Sequence, residues 1–488
     1  MKSDLTQGKI FSTLLRLALP IAGGQVMQMA YNLTDMFWLG RVSGEALAAT
    51  GAAGLFTWLA VGLMMIGRVG AEVGVSQARG RGELNVAYSF SRVAIFLAGG
   101  LGLLFGAFLF IFRNGLIGFF NFQEVAVAAD AATYTGIMAW GLPAMYITSA
   151  VAGAFIASGN SQTPFLINSA GLVLNMILTP IVIFPLGMGV SGAAISSVAS
   201  QWVVLALSLV SIKKFRHRPF AEYRFFEGLR KLANGGGYDT VGCRRGFFVS
   251  IFGNAIELCR KSWRSLWHGT AKKIFHLALP VSLENTVWPL LTILVTRIEV
   301  SFGDVAVAIS RVGIQVESLS WLVGAGFGAA LTAFVGQNFG AGRHDRISKG
   351  VRYTAFSLVA WGIFVMAFMW FGGGLVFAIF MPHYDYEVRE LFITHMRILA
   401  ACQVFSNMEY VASNAFRGKG RTIPPSITSM FSNTIRLPLA LILSQTQLGL
   451  LGVWAAISIT AGLRGVLITA WYLLLKQSPR KHTCVKGL

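Results

Sequence analysis

A single carboxyl group lies within a long apolar segment near the start of the chain. Asp35 follows Gln25, Gln28 and Asn32 at i−10, i−7 and i−3, so one face of a predicted helix is polar. Inserting an ionisable group into a membrane costs about 2.5–3.5 kcal/mol, which predicts that this stripe faces a cavity or the interior of a helix bundle. A carboxyl group removed from water takes up a proton more readily, and it also suits Na⁺ or a cationic compound.

Neutral side chains could complete this site or line a cavity beside it. We assign to ion binding, together with Asp35 and Asn32, three polar residues of the fifth and sixth apolar segments: Asn175, Thr179 and Ser197. Such residues are also common between packed membrane helices. Met27 and Tyr31 could form an adaptable wall of a substrate cavity with Gln25 and Gln28, although packing is the commoner role of such residues.

The second half of the chain carries further acids. Glu284 and Asn285 begin a lesser polar face in the seventh apolar segment, which we assign to the substrate cavity. Glu317 and Glu409 are candidates for a second acidic site. The alternative for both is packing or an ion pair, with Arg311 and Arg436 as counter-ions.

Long apolar segments must position these residues. The chain is 55% hydrophobic and only 12% charged, with a mean hydropathy of +0.64, which excludes a soluble globular protein. A span needs about 20 apolar residues. Twelve predicted spans follow: 12–39, 46–76, 88–112, 131–157, 164–185, 191–212, 274–299, 306–336, 352–380, 388–416, 424–445 and 451–475. The first has no signal-peptide cleavage site and is expected to remain in the membrane.

The chain is an internal duplication. Leu17-Ala18-Leu19-Pro20 recurs as Leu277-Ala278-Leu279-Pro280 at an offset of 260, which drifts to 261 and 262 further along. Each repeat holds six spans, so both enter the membrane in the same orientation and form two six-helix bundles. Pro20 and Pro280 each remove a backbone hydrogen bond, which predicts either a static bend or a moving hinge.

Basic residues define the expected topology and domains. Residues 213–273 hold 14 Lys/Arg against 4 Asp/Glu, and other basic residues gather at alternate loops. This positive-inside pattern predicts a multi-pass protein of the cell membrane with both termini in the cytoplasm. We expect an N-terminal lobe at 1–212, a basic cytoplasmic linker at 213–273, a C-terminal lobe at 274–475 and a cytoplasmic tail at 476–488. Within the linker, 246–267 is either an interfacial amphipathic helix or a basic segment without regular structure.

Several classes of function are disfavoured. No basic patch alternates with aromatic residues, which argues against nucleic-acid binding. The chain has no phosphate-binding loop and no metalloprotease or serine hydrolase motif, so it should not be an enzyme and should need no ATPase subunit. Its four cysteines have neither zinc nor disulfide spacing. Any uphill transport must therefore draw on an ion gradient.

The chain resembles the multidrug and toxic compound extrusion (MATE) transporters. The similarity is carried by Leu19-Pro20, by Asn32-Leu33-Thr34-Asp35, by Gln77-Ala78-Arg79-Gly80-Arg81-Gly82, and by Val335-Gly336-Gln337-Asn338-Phe339-Gly340-Ala341-Gly342-Arg343, with further collinear motifs outside 229–270. The resemblance implies an all-α integral membrane protein of twelve transmembrane helices, in which the two bundles form a V-shaped cleft.

The resemblance also implies antiport of organic compounds, cationic ones foremost, against H⁺ or Na⁺. Asp35 would be the coupling acid, Asn175 and Ser197 its polar partners, and Pro20 a site of helix bending. The family's fifth-helix acid is Thr179 here, which leaves Asp35 as the main coupling group. The tenth-helix acid is shifted by about a turn, to Glu409.

We expect a monomer in the lipid bilayer that binds small organic substrates. It should need no cofactor and no metal, except Na⁺ at Asp35 if that is the coupling ion. The alternative functions are a lipid-intermediate flippase of the same superfamily, for which the central spans have few basic residues, and a membrane enzyme or receptor that does not transport.

Overall fold

The computed structural model describes residues 4–119, 122, 124–214, 267–382 and 384–477. Those residues form α-helices joined by short loops, without a strand among them. In the first half the helices are α1 (Ile10–Val42), α2 (Gly44–Gly80), α3 (Leu84–Gly118), α4 (Val125–Ala139), α5 (Leu142–Ala157), α6 (Gln162–Ile183) and α7 (Gly189–Lys214). In the second half they are α8 (Lys272–Val300), α9 (Asp304–Gly340), α10 (His344–Phe380), α11 (Tyr386–Ala400), α12 (Gln403–Gly418), α13 (Ile423–Ser444) and α14 (Leu450–Gln477). A π-helical turn, Trp267–Ala271, precedes α8.

Each of the twelve predicted spans coincides with helix. Ten helices of the described part are long and apolar enough to cross a membrane, and α4 with α5, bent by 47°, forms an eleventh span. The predicted span 388–416 is divided in the same way between α11 and α12. This pair is less apolar because it carries Arg397, Glu409 and Arg417. Both breaks occur at matching positions of the repeats, after residues 139 and 400.

The predicted lobe boundaries and linker remain predictions. Most of 213–273, including nearly all of the proposed amphipathic helix 246–267, lies outside the described residues, as does the tail beyond residue 477.

The first helix of each repeat packs against the other repeat's bundle. Leu14, Ala18 and Ile21 of α1 belong to the apolar core that contains Leu331 and Phe334 of α9. In the same way, three residues of α8 join the core around α2, α3 and α5: Ile274, Ala278 and Val281. These triplets are related by the offset of 260. Because lipid is as apolar as these side chains, they stabilise the contact between the bundles through close packing and not through removal from water.

Small residues bring the two bundles together at one end of the molecule. We call this the basic end and define it by residues 4–9, 77–83, 157–160, 337–346 and 417–421. A Cβ atom added at Gly80 would lie 2.0 Å from the backbone oxygen of Gln337, and one at Gly340 would lie 2.1 Å from that of Gln77. Such distances leave no room for a side chain. The glycines therefore allow α2 and α9 to meet backbone to backbone.

Two glutamines tie the bundles together at the same end. Gln77 Nε2 donates to the carbonyl of Gly418 (3.0 Å), and Gln337 Nε2 donates to the carbonyl of Ala157 (2.7 Å). Each bond joins one repeat to the other, and the two bonds are equivalent under the internal repeat. The side chains thus satisfy carbonyl groups at the ends of α5 and α12 that have no partner within the helix.

The segment before α1 lies on the second repeat at the basic end. Asn338 Nδ2 donates to the carbonyl of Leu5 (3.1 Å), the Leu5 N–H donates to Gln337 Oε1 (3.1 Å), and Arg346 Nη1 donates to the carbonyl of Gly8 (3.0 Å). Although burial opposes it, the hydrogen bonds from Thr6 to Asp4 hold the pKa of the Asp4 carboxyl below its ordinary value, helped by nearby arginines.

Contact between the bundles extends to about the middle of the helices. Trp58 of α2 stacks on Trp288 of α8, with ring centroids 5.7 Å apart and an interplanar angle of 16°. On the other seam, Ser318 Oγ of α9 lies 3.6 Å from Met29 Sδ of α1. Further from the basic end, a Cβ atom at Gly51 or Gly54 would meet nothing within 4 Å. The bundles therefore separate toward the opposite end and leave a cleft.

Candidate functional site

A polar network joins three helices of the first bundle. The hydroxyl groups of Tyr31 on α1 and Ser197 on α7 share a hydrogen bond of 3.1 Å. Asn175 Nδ2 on α6 donates to the same Ser197 oxygen (3.2 Å), and Thr179 Oγ1 donates to Asn175 Oδ1 (3.0 Å). Asn175, Thr179 and Ser197 are therefore together, as predicted. Tyr31, which was predicted to line the cavity, is the residue that connects them to α1.

Asp35 lies one turn beyond Tyr31, and among the described residues no positively charged group acts on its carboxylate. Its Oδ1 atom is buried and lacks a hydrogen-bond partner among the described residues. The groups that its charge acts on are the hydroxyls of Tyr31 and Tyr134, the second of which is buried on α4. A carboxylate in such a place is costly unless a cation or a proton joins it. The network of Asn175, Thr179 and Ser197 lies near Asp35 but does not hydrogen-bond to it.

The rest of the predicted stripe faces elsewhere. Gln28 Nε2 donates to Asn32 Oδ1 (3.2 Å), and both side chains are exposed. Gln25 and Met27 are half-buried on the same helix. Asn32, which was predicted to bind the ion, thus pairs with Gln28 rather than with the Ser197 network. These groups form the exposed continuation of the site along α1.

Tyr134 is the member of this site that the sequence did not predict. It comes from the fourth predicted span, and nothing in the residues around it sets it apart from other aromatic residues of the membrane. Only the packing of α4 against α2 and α7 brings its hydroxyl within reach of the Asp35 charge.

Two acids of the second bundle, Glu284 and Glu409, form ion pairs with arginines. Arg417 Nη2 contacts Glu284 Oε2 at 3.0 Å, and Ser426 Oγ donates to the same oxygen (2.9 Å). Arg464 Nε lies 2.8 Å from Glu409 Oε2. Asn285 donates to the carbonyl of Val281 in its own helix (2.8 Å) and has no part in the Glu284 pair.

Glu317 belongs to the same charged region. Gln403 Nε2 donates to Glu317 Oε1 (3.4 Å), and the guanidinium groups of Arg436 and Arg464 act on its carboxylate. Of the two counter-ions expected from the sequence, Arg436 faces Glu317 and Glu409, whereas Arg311 acts on another acid, Glu299. Arg417 and Arg464, which form the direct ion pairs, were not singled out by the sequence.

Pro20 lies within α1, which continues as one helix from Ile10 to Val42. The proline lies within the part of α1 that packs against the second bundle and precedes the part that carries Tyr31 and Asp35. It is therefore placed where a bend would move Asp35 relative to the second bundle. In the part of the chain that the structure describes, no group of three or more His, Cys, Asp or Glu side chains is placed to hold a metal ion.

Comparison with known proteins agrees with this architecture. The family model described as MatE matches twice, over residues 20–181 and 280–442. The chain belongs to the MatE family. The two matches begin at Pro20 and Pro280, so the duplication read from the sequence is also a duplication of the MatE unit.

Two curated relatives of this MatE protein illustrate the range of its family. A "Probable multidrug resistance protein NorM" of Thermotoga maritima is 26% identical over 478 residues, covering 97% of this chain and 94% of the relative. A "FAD transporter" of Shewanella oneidensis is 25% identical over 362 residues, covering 72% and 70%.

Solved structures share the fold of this MatE chain. A MATE protein in the bent conformation superposes with a TM-score of 0.82 at 20% identity, covering 97% of each chain. A MATE family transporter in an outward-facing conformation gives 0.81 at 20% identity, covering 99% of each chain. The predicted all-α fold of twelve membrane helices in a V-shaped arrangement is thus confirmed, and the protein is a multi-pass membrane transporter of this family.

Proposed function

We propose that this protein exports organic compounds, cationic ones foremost, in exchange for H⁺ or Na⁺ that binds at Asp35. One observation carries the proposal: Asp35 is a half-buried acid whose Oδ1 atom is buried, and no arginine or lysine of the described residues acts on it. Glu284, Glu317 and Glu409 each face at least one arginine. The missing positive charge at Asp35 must come from solution, as a coupling ion or as a substrate.

Exchange follows from competition for one carboxylate. When Asp35 is ionised, its charge attracts a cation into the space beside Tyr31 and Tyr134. When a proton binds Oδ1 or Oδ2, the charge is lost, and with it the attraction that holds the cation. A Na⁺ ion would neutralise the same charge, with the Tyr31 hydroxyl as an added oxygen ligand. Either ion would release the substrate and reset the site as it moves down its gradient.

The names of the relatives support the direction of transport. Several are called multidrug resistance proteins, which suits export. In this proposal the basic end faces the cytoplasm of a cell membrane, because Arg79, Arg343, Arg346 and Lys419 gather there. The chain works as a monomer in the bilayer, without a resident cofactor or an ATPase subunit.

The decisive experiment is transport by reconstituted Asp35→Asn protein. The variant keeps the shape of the side chain but cannot ionise. We expect export of a fluorescent organic cation from vesicles to fall at least about tenfold under an imposed gradient, because one lost coupling charge removes well over 1.4 kcal/mol of binding. Asp130→Asn, an exposed acid on α4, is the matched control and should transport normally. Full activity of Asp35→Asn would exclude this mechanism.

The same vesicles distinguish the coupling ions and the substrate class. A pH step in Na⁺-free buffer is compared with a Na⁺ step at constant pH, and the effective step identifies the ion. FAD, the anion named for one relative, serves as the opposite charge class. Gradient-driven movement of FAD but not of organic cations would reject the proposed substrate class while leaving antiport intact.

A further inference from the structure

The second bundle has a buried acid close to the place that matches Asp35. At the offset of 260, Asp35 corresponds to Val295 of α8. Glu299 lies four residues further, on the same face and one turn nearer the wide end of the cleft. It is only 4% exposed. Such a group requires an explanation, since burying an ionisable side chain in a membrane protein is costly.

Hydrogen bonds at Glu299 stabilise its ionised carboxylate. Ser310 Oγ on α9 donates to Glu299 Oε1 (2.9 Å), and Trp454 Nε1 on α14 donates to Ser310 Oγ (2.8 Å). All three side chains are buried. The charged group that acts on Glu299 from the neighbouring elements is Arg311, whose side chain is exposed. Two aligned donors thus support the ionised form without a direct ion pair.

A histidine without partners lies beside this chain of hydrogen bonds. His395 of α11 is 1% exposed, and neither of its ring nitrogens has a hydrogen-bond partner among the described residues. Its ring centroid is 4.2 Å from that of Trp454. A Cβ atom at Gly313 would lie 2.3 Å from His395 Nε2, so the imidazole occupies a groove that only a glycine leaves open. Gly313 follows Ser310 by three residues, on the same face of α9.

The matching positions of the first bundle carry neither an acid nor an imidazole. Glu299 corresponds to Leu39, Gly313 to Ala53 and, at the offset of 261 that applies here, His395 to Tyr134. Leu39, Ala53 and Tyr134 belong to one buried apolar cluster. The second repeat therefore has an acid and an imidazole at two positions where the first has an aliphatic side chain and a phenol. Packing does not require an acid and an imidazole, because Leu39 and Tyr134 occupy these positions in the first bundle.

We propose that Glu299 and His395, with Ser310 and Trp454, form a second proton-binding site, in the C-terminal bundle. The proton adds to the Glu299 carboxylate and gives a neutral carboxylic acid. When it leaves, the hydrogen bond from Ser310 remains and holds the carboxylate. His395, whose ring lies against Trp454, is the second titratable side chain of the site. No other bond forms or breaks. Arg311, being exposed, can adjust this equilibrium but does not neutralise the site.

Infrared spectroscopy of the purified protein in nanodiscs tests this without any transport step. Between about pH 5 and pH 9, where displaced carboxyl and imidazole groups titrate in proteins, the difference spectrum should contain a protonated-carboxyl band that Glu299→Gln removes. His395→Gln, which fits a similar space but does not titrate, should keep the band and shift its midpoint. Glu45→Gln, an exposed acid at the start of α2, is the control and should leave the band unchanged.

Two outcomes would overturn the proposal. One is a spectrum of Glu299→Gln that is identical to that of the parent protein. The other is a band that Glu299→Gln removes but that neither pH nor His395→Gln alters, since a permanently protonated Glu299 is a packing group. If Glu299→Gln does not fold, Ser310→Ala replaces it, because losing the donor to the carboxylate should also shift the midpoint. Asp35→Asn should remove the carboxyl band of Asp35 and leave that of Glu299. Failure of the proposed antiport can therefore be distinguished from failure of the second proton-binding site.

Discussion

Acids within the membrane have different partners in the two bundles. In the first, the groups of the described residues on which the Asp35 charge acts are the hydroxyls of Tyr31 and Tyr134, whereas Arg68 and Arg417 act on Glu72. In the second, Glu284 and Glu409 form direct ion pairs with Arg417 and Arg464. A carboxylate that is already neutralised within the protein has little affinity left for an external cation. The comparison shows that a buried acid is a candidate ion site where no direct ion pair neutralises it.

The largest expected effect is a loss of stability when an ion pair of the second bundle is broken. Glu409→Gln leaves the Arg464 guanidinium buried without its acid, and we expect the protein to lose about 3–5 kcal/mol of stability. Asp35→Asn should leave stability unchanged or raise it slightly, since the acid it removes has no partner. Thermal unfolding of both variants in one detergent measures the difference.

A double variant sharpens this test. Glu409→Leu with Arg464→Leu removes both charges and should recover most of the stability lost in Glu409→Gln. Glu387→Gln, an exposed acid at the start of α11, provides the baseline. Equal losses in Glu409→Gln and Asp35→Asn would mean that both acids are structural.

An intermediate effect concerns the contact that both bundles share at the basic end. Gly340→Ala and Gly80→Ala each place a methyl group about 2 Å from a backbone oxygen of the other repeat. We expect each to cost about 1–3 kcal/mol and to separate the bundles there. Spin labels on α2 and α9 would report a longer distance between the bundles at the basic end. The two variants should behave alike because the repeat relates them.

Gly115→Ala is the matched control for the glycine variants. This residue is also within a helix, yet a Cβ atom there meets nothing within 4 Å. A spin-label distance that is unchanged in Gly340→Ala and Gly80→Ala would show that the close approach of α2 and α9 does not hold the bundles together.

The smallest effect separates the two glutamines. Gln77 makes one hydrogen bond between the repeats, whereas Gln337 also accepts from the Leu5 N–H. A hydrogen bond contributes about 0.5–1.5 kcal/mol, so Gln337→Ala should destabilise the protein by up to twice as much as Gln77→Ala. Parallel unfolding measurements decide this. Deleting residues 1–6 should make the two variants equal, and a difference that persists would contradict the role given to the N-terminal segment.

The fold was largely predictable because its signals are local. In lipid the backbone polar groups of a run of about 20 apolar residues must be hydrogen-bonded within a helix. The twelve spans could therefore be located without knowing their neighbours. The breaks within two of them were missed. Pro143 marks the start of α5, but the matching break before Gln403 has no proline, and only packing reveals it.

The site was predictable only in part because its contacts join distant segments. Asn175, Thr179 and Ser197 could be grouped from their polarity within apolar spans. The ion pairs could not, since Arg417 lies just beyond one predicted span and Arg464 within another, and their partners are apparent only when α8, α12 and α14 are packed together. Glu299 and His395 were missed for a related reason. Each is a lone polar residue in its own segment. From the sequence alone, a single charged residue near the end of a span is interpreted as lying at the membrane interface.

The exchange of first helices has a consequence for the origin of the chain. Leu14, Ala18 and Ile21 fill the core of the other repeat, and Ile274, Ala278 and Val281 do the same in return. One apolar core of each repeat is therefore completed by the first helix of the other, while the remaining clusters lie within a single repeat. A single-copy ancestor would have completed itself with a second copy, as a parallel homodimer that swapped its first helices. After gene fusion the two halves could diverge. One then carries Asp35 without a basic partner among the described residues, while the other carries Arg417 and Arg464 as partners of its acids. The two repeats, produced as separate chains, should accordingly fold together and not alone.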